Sequence, residues 1–141
     1  MNHEPQLAVD WPVSCEAVEF WRASAEARLL LAHCAACHAT FHYQRVLCPR
    51  CGALDPGWVE ATGKGTVFSY TTVHTSFYGS TWEGEIPYVV VIVALDEGPR
   101  ILSRLVGDDS GLGIGAPVHV AFCRLGERVY PFFALDSEVR R

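Results

Sequence analysis

Two short cysteine pairs, Cys34-Ala35-Ala36-Cys37 and Cys48-Pro49-Arg50-Cys51, constrain this chain more than any other feature. Ten residues separate them, the length of a small hairpin. A Cys-x-x-Cys turn brings two thiolates onto one metal, and Gly52 follows the second pair where a tight turn favours positive φ. Four sulfurs at about 2.3 Å complete a tetrahedral zinc site and leave no position open for water. The pattern therefore predicts structural zinc held by Cys34, Cys37, Cys48 and Cys51. It also predicts a rubredoxin-like zinc ribbon over 28–55. A module below ~40 residues rarely folds on apolar burial alone, so metal binding there is folding energy.

Two other readings of the cysteines are weaker. A disulfide framework belongs to exported chains, and the start, Met1 to Pro5, has neither a basic n-region nor an apolar h-region. The expectation is a cytoplasmic protein with reduced thiols. Cys34 to His38 also matches the Cys-x-x-Cys-His haem-attachment pattern, but that chemistry requires export and leaves Cys48 and Cys51 idle. His33, His38 and His42 lie near the knuckles and are expected beside the site rather than in it. Cys15 and Cys123 have no partner in sequence and read as inert thiols.

The chain has 141 residues, half of them hydrophobic and only 19% charged, which excludes a disordered chain. A net charge of −5 with Lys64 as the single lysine argues against a general nucleic-acid binder. Residues 1–13 read as irregular. Ser14 is placed to cap a helix over 15–26, whose Ala17, Phe20, Trp21 and Ala25 form an apolar stripe. That stripe is expected to dock either on the chain's own core or on a partner.

From residue 56 the pattern is all-β. Strands are expected at 58–61, 66–75, 88–95, 100–106, 118–125 and 129–135, with 88–95 buried on both faces. A long loop over 76–87 is long enough to be functional. Five or six strands in ~80 residues suit a small closed barrel of the OB type. The expected organisation is a helical segment over 1–27, a zinc ribbon over 28–55 and a barrel over 56–141.

Several phrases occur in an order that carries a resemblance. They are the two cysteine pairs, Gly63-Lys-Gly-Thr-Val-Phe-Ser-Tyr-Thr71, Pro87-Tyr88, Leu95-Asp-Glu-Gly98 and Ile114-Gly-Ala-Pro-Val118. The chain resembles the zinc-ribbon/OB-fold family of acyl-CoA-associated proteins, long catalogued as a domain of unknown function. The resemblance implies a non-catalytic companion of a thiolase-fold, aldolase or hydratase enzyme that helps form a channel for a CoA thioester. It implies that the ribbon and helix grip the partner, with Phe20 and Trp21 as the contacts. Position on the long loop assigns Phe77, Tyr78 and Trp82 to the CoA-facing side. The family's prolines before the hairpin arginine are replaced here by His42-Tyr43-Gln44-Arg45, a departure that bears on partner choice.

No catalytic set emerges to make the chain an enzyme by itself. His74 and Ser76 lack a nucleophile elbow. His119 and Cys123 share a strand face but stand about 13 Å apart. Glu83 and Glu85 read as a solvated acidic turn. The alternative function is single-stranded nucleic-acid binding, with Phe68, Tyr70 and Tyr78 as stacking platforms.

Overall fold

The computed structural model describes residues 2–9, 11–77 and 79–136. Among the described residues, eight strands build a three-stranded antiparallel sheet and a five-stranded closed barrel. The sheet comprises β1 (Leu30–His33), β2 (Thr40–Phe41) and β3 (Gly57–Glu60), in the order β2-β1-β3. The barrel comprises β4 (Lys64–Val73), β5 (Tyr88–Leu95), β6 (Arg100–Leu105), β7 (Pro117–Leu125) and β8 (Arg128–Leu135). Its order is β4-β5-β6-β8-β7, with β7 returning to β4. The mainly-β class and the OB-like barrel are as expected. The strand expected at 58–61 corresponds to β3, which is not a barrel strand: Leu30 to His33 pair with Glu60 to Gly57 and extend the ribbon sheet. No helix among the described residues is long and apolar enough to cross a membrane.

The helix is shorter than its apolar pattern implied. A turn of 3-10 helix at Cys15–Ala17 leads into α1 (Val18–Ala25), and Ser14 makes no side-chain cap bond. Its buried residues are Phe20, Ala23 and Ser24, whereas Ala25 faces solvent. Ser24 takes the place expected for Ala25 because its hydroxyl finds a partner, donating to the Val129 carbonyl at 2.7 Å. A buried hydroxyl is tolerated only with such a partner.

One apolar cluster joins all three parts. Leu29 and Leu31 from the ribbon side and Phe20 from α1 pack with Val67, Val89, Val91, Val93, Leu105, Val118 and Phe133 of the barrel. Strand β5 was expected to be buried on both faces but alternates instead. Val89, Val91, Val93 and Leu95 point inward, and Tyr88, Val90, Ile92 and Ala94 are half-buried on the outer wall. The reason is that no helix among the described residues covers this part of the barrel, so one face of the sheet meets partial solvent. Gly65 is required where β4 lies against β5: a Cβ there would lie 2.4 Å from the Ala94 carbonyl oxygen.

The seam between β6 and β8 is parallel and thin, with Leu105 opposite Phe133 as its register pair. Pro131 on β8 has no N–H to offer. Its carbonyl instead accepts the Ser103 hydroxyl at 2.8 Å, so a side chain spans the seam where a ladder rung is missing.

Candidate functional site

The two cysteine pairs are built as near-identical knuckles. In the first, His38 N–H donates to the Cys34 carbonyl at 2.8 Å and Cys34 N–H to Ala39 at 2.9 Å. In the second, Gly52 N–H donates to Cys48 and Cys48 N–H to Ala53, both at 2.9 Å. Gly52 has φ +80° and His38, at the equivalent place, has φ +62°. His38 thus occupies a turn position that usually selects glycine, which accounts for its place beside the cysteines without making it a ligand. His33 is likewise engaged elsewhere, its Nδ1 lying 3.1 Å from the Thr40 hydroxyl.

The four sulfurs converge. All lie within 4.8 Å of one another, with Cys34–Cys51 at 3.6 Å and Cys37–Cys48 at 3.7 Å. The edge of a tetrahedron with bonds of about 2.3 Å is about 3.8 Å, so the donor set fits one tetrahedral metal. Cys34 and Cys48 are buried, Cys37 is half-buried and Cys51 is exposed. This is a possible metal site with a complete four-sulfur shell.

A second feature was not anticipated. Residues 2–9 and 11–13 run as an arm across the outer wall of the barrel. His3 N–H donates to the Pro87 carbonyl at 3.0 Å, and Gln6 and Leu7 donate backbone N–H groups to the Glu85 carboxylate. The Tyr130 hydroxyl donates to Val9 and Arg128 donates to Trp11. Beneath the arm lies a groove of about 460 Å³, bordered by α1, the ribbon hairpin and the outer faces of β6 and β8. Its lining is mostly apolar and aromatic, including Trp11, Trp21, Trp82, Tyr88, Tyr130 and Phe132.

Glu85 corrects the expectation of a solvated turn. Its side chain is 5% exposed and pairs at 2.6 Å with Arg104, 10% exposed. Arg104 also donates to the His3 carbonyl at 3.1 Å and lies 5.0 Å over the Tyr88 ring. A carboxylate in such a place is stable only when paired, and here the arm and β6 supply its partners.

His42 sits at the groove's ribbon end, 5.5 Å from the Phe20 ring and 3.8 Å from the Tyr43 ring. Burial pushes its pKa down from the usual 6.5 to about 4. Between those values the unfolded chain takes up a proton that the folded chain does not. Stability is therefore expected to fall as pH drops from about 6.5 to about 4, and to be unaffected by this group above that range. In urea titrations across this window His42→Phe should remove part of the slope; an unchanged slope would contradict the assignment.

The other expected site residues separate. Phe20, assigned to a partner contact, is 9% exposed and packs in the chain's own core, because α1 turns that face onto β8. Trp21 is half-buried, edge-on to Tyr130 at 79°, and lines the groove. Trp82 also lines the groove, whereas Phe77 stands 78% exposed on the loop and is not part of it. Tyr78 lies outside the described residues. Phe68 and Tyr70, the nucleic-acid platforms, are exposed, but Arg100 covers one face of Phe68 at 3.8 Å. A signal for the groove did exist in the sequence. Leu7, Val9 and Trp11 alternate, as do Tyr130 and Phe132, which is the pattern of two extended segments each presenting one apolar face.

The profile of the family described as "ChsH2, C-terminal OB-fold domain" matches residues 58–123. A "DUF35 domain-containing scaffold protein" of Methanothermobacter thermautotrophicus is 32% identical over 117 residues, covering 79% of this chain and 85% of the relative. The chain belongs to the DUF35 family. The chain is also similar to part of a larger protein. The "Probable enoyl-CoA hydratase alpha subunit" of Thermomonospora curvata is 41% identical over 101 residues, 70% of this chain, but the chain spans only 31% of that protein. Among solved structures, a chain of "Ltp2-ChsH2(DUF35) aldolase" superimposes with a TM-score of 0.79 at 33% identity. The match covers 89% of this chain and 98% of the other.

Proposed function

We propose that this DUF35 chain is a non-catalytic accessory subunit of an acyl-CoA enzyme of the thiolase, aldolase or hydratase class. The carrying observation is the correspondence with a chain of the Ltp2-ChsH2(DUF35) aldolase, matched over 98% of its length at 33% identity. The hydratase alpha subunit of Thermomonospora curvata supports the same enzyme class. In this reading the chain docks on the enzyme and helps shape the passage for its CoA thioester.

Within that reading, zinc at Cys34, Cys37, Cys48 and Cys51 is structural. When bound it supplies charge neutralisation and a cross-link, while the cysteines fix the ribbon's shape. The docking surface falls to exposed apolar residues of the ribbon, Val46, Leu47 and Leu54, together with Trp21 and Val18 of α1. Phe20 supports this surface from inside. Phe77 and Trp82 keep their assignment to the CoA side, on the loop before β5.

Co-expression with a thiolase-fold or hydratase protein encoded beside it tests the reading. We expect a complex that survives size exclusion, and at least tenfold weaker association for a Val46→Asp/Leu54→Asp variant. Failure to co-elute, with no gain in the enzyme's solubility or activity, would sink it.

A further inference from the structure

Three side chains with acid–base or nucleophilic chemistry meet outside the groove, where β4, β7 and the end of β8 come together. Lys64 is the chain's single lysine. It opens β4 and stands directly opposite His119 of β7 in the antiparallel ladder. Residues paired in this way send their side chains to one face, with Cβ atoms about 4.5–5.5 Å apart. That face is the outer one, because Val118 beside His119 is buried inside the barrel and Lys64 is exposed. The four-carbon stem of a lysine spans such a gap easily.

His119 is held in one orientation. Its Nδ1 lies 2.6 Å from Oδ1 of Asp136, the residue that follows β8. An ionised carboxylate only accepts, so the neutral ring carries its proton on Nδ1 and keeps the lone pair on Nε2. A base fixed by a third group beside a nucleophile is the arrangement that activates nucleophiles in covalent chemistry. The His119 and Asp136 side chains are 45% and 33% exposed, so a substrate reaches them without rearrangement. Lys64 makes no ion pair among the described residues. On its other side stand Asp96 and Glu97 of the β5–β6 turn. Asp96 N–H donates to the Lys64 carbonyl at 3.0 Å, and the Glu97 carboxylate accepts from Thr62 N–H.

We propose that Lys64 is a self-acylation site for small acyl thioesters, with His119 as its general base. The amine, after releasing one proton to solvent, attacks the thioester carbonyl and an N–C bond forms. His119 Nε2 takes the second proton from the nitrogen of the tetrahedral adduct. The C–S bond then breaks, and the departing thiolate receives that proton from His119. The products are an amide at Lys64 and a free thiol, and the lysine loses its positive charge. Asp136 is a positioning residue. All three groups belong to this chain, so the inference does not rest on the enzyme partner.

The probe is S-acetyl-N-acetylcysteamine, a thioester without a nucleotide. Nα-acetyl-lysine amide in the same solution is the reference amine. Intact mass and peptide mapping of the full zinc-loaded chain should place one acetyl group on Lys64. Its rate should exceed the reference by about tenfold or more, a floor for an open site given the ~10²–10⁴-fold of general bases. His119→Gln should bring the rate down to the reference, with the urea midpoint unchanged. Asp136→Glu, which keeps a carboxylate, should retain more of the rate than Asp136→Asn. In Lys64→Arg/Leu54→Lys the single lysine moves to an exposed ribbon position and should react at the reference rate. That variant leaves His119 in place and covers the case that His119→Gln misfolds. The proposal is overturned if Lys64 reacts no faster than the reference. It is also overturned if His119→Gln, or the relocated lysine, reacts as fast as the unaltered chain.

Discussion

Cys48→Ser is expected to abolish metal binding and unfold the ribbon. Structural zinc in small modules contributes ~10–16 kcal/mol of apparent binding free energy, against a net stability of ~5–15 kcal/mol for a whole domain. A serine hydroxyl cannot replace the thiolate, and three sulfurs leave a position open to water. The damage should spread beyond the hairpin, because Leu29 and Leu31 belong to the same apolar cluster as the barrel's Val89 and Phe133. Metal content by elemental mass spectrometry should fall from one per chain to near zero, and the thermal transition should broaden and drop steeply. A chelator acting on the unaltered chain should reproduce the result. A variant that keeps its metal and its melting temperature would show that the ligand set is wrong.

The second large effect is expected at Arg104. Arg104→Met leaves Glu85 buried without its cation, and breaking one side of a buried pair typically costs ~3–5 kcal/mol. The loss should not stay local. Gln6 and Leu7 are held by the same carboxylate, and His3 by Arg104 itself, so the arm is expected to detach. The urea midpoint should fall accordingly, and protease should cut within residues 2–9. In the double variant Glu85→Gln/Arg104→Met much of the stability should return, because no uncompensated charge remains, while the arm stays loose. Equal midpoints for Arg104→Met and the unaltered chain would refute the pair's role.

What the sequence disclosed and what it hid follow from the range of the interactions. The ribbon was legible because its chemistry is local: two turns, each closed within five residues, bring four sulfurs together. Barrel strands were legible through β-branched runs and turn glycines. The course of β3 was not, because Trp58 to Glu60 look the same whether they pair with β1 or with a barrel strand, and only the register decides. Ser24 had no place in the apolar stripe read from the sequence, because the carbonyl that makes it an inward residue lies 105 residues away. Glu85 next to Gly84 looked like a surface turn for the same reason: its partner is on another strand. Residues 1–13 looked irregular, and the described ones among them carry no helix or strand, yet the backbone groups of His3, Gln6, Leu7, Val9 and Trp11 all bond to the barrel side of the chain.

The arm's attachments also say something about the order of assembly. His3, Gln6, Leu7, Val9 and Trp11 are fixed by Arg104, Glu85, Tyr130 and Arg128, at separations of 78 to 121 residues. Closing so long a loop before the barrel exists would lose chain entropy with nothing to offset it. The contacts become favourable only when β5, β6 and β8 are already in place. This arm is thus the last segment to find its position, and the groove it covers is completed at the end of folding.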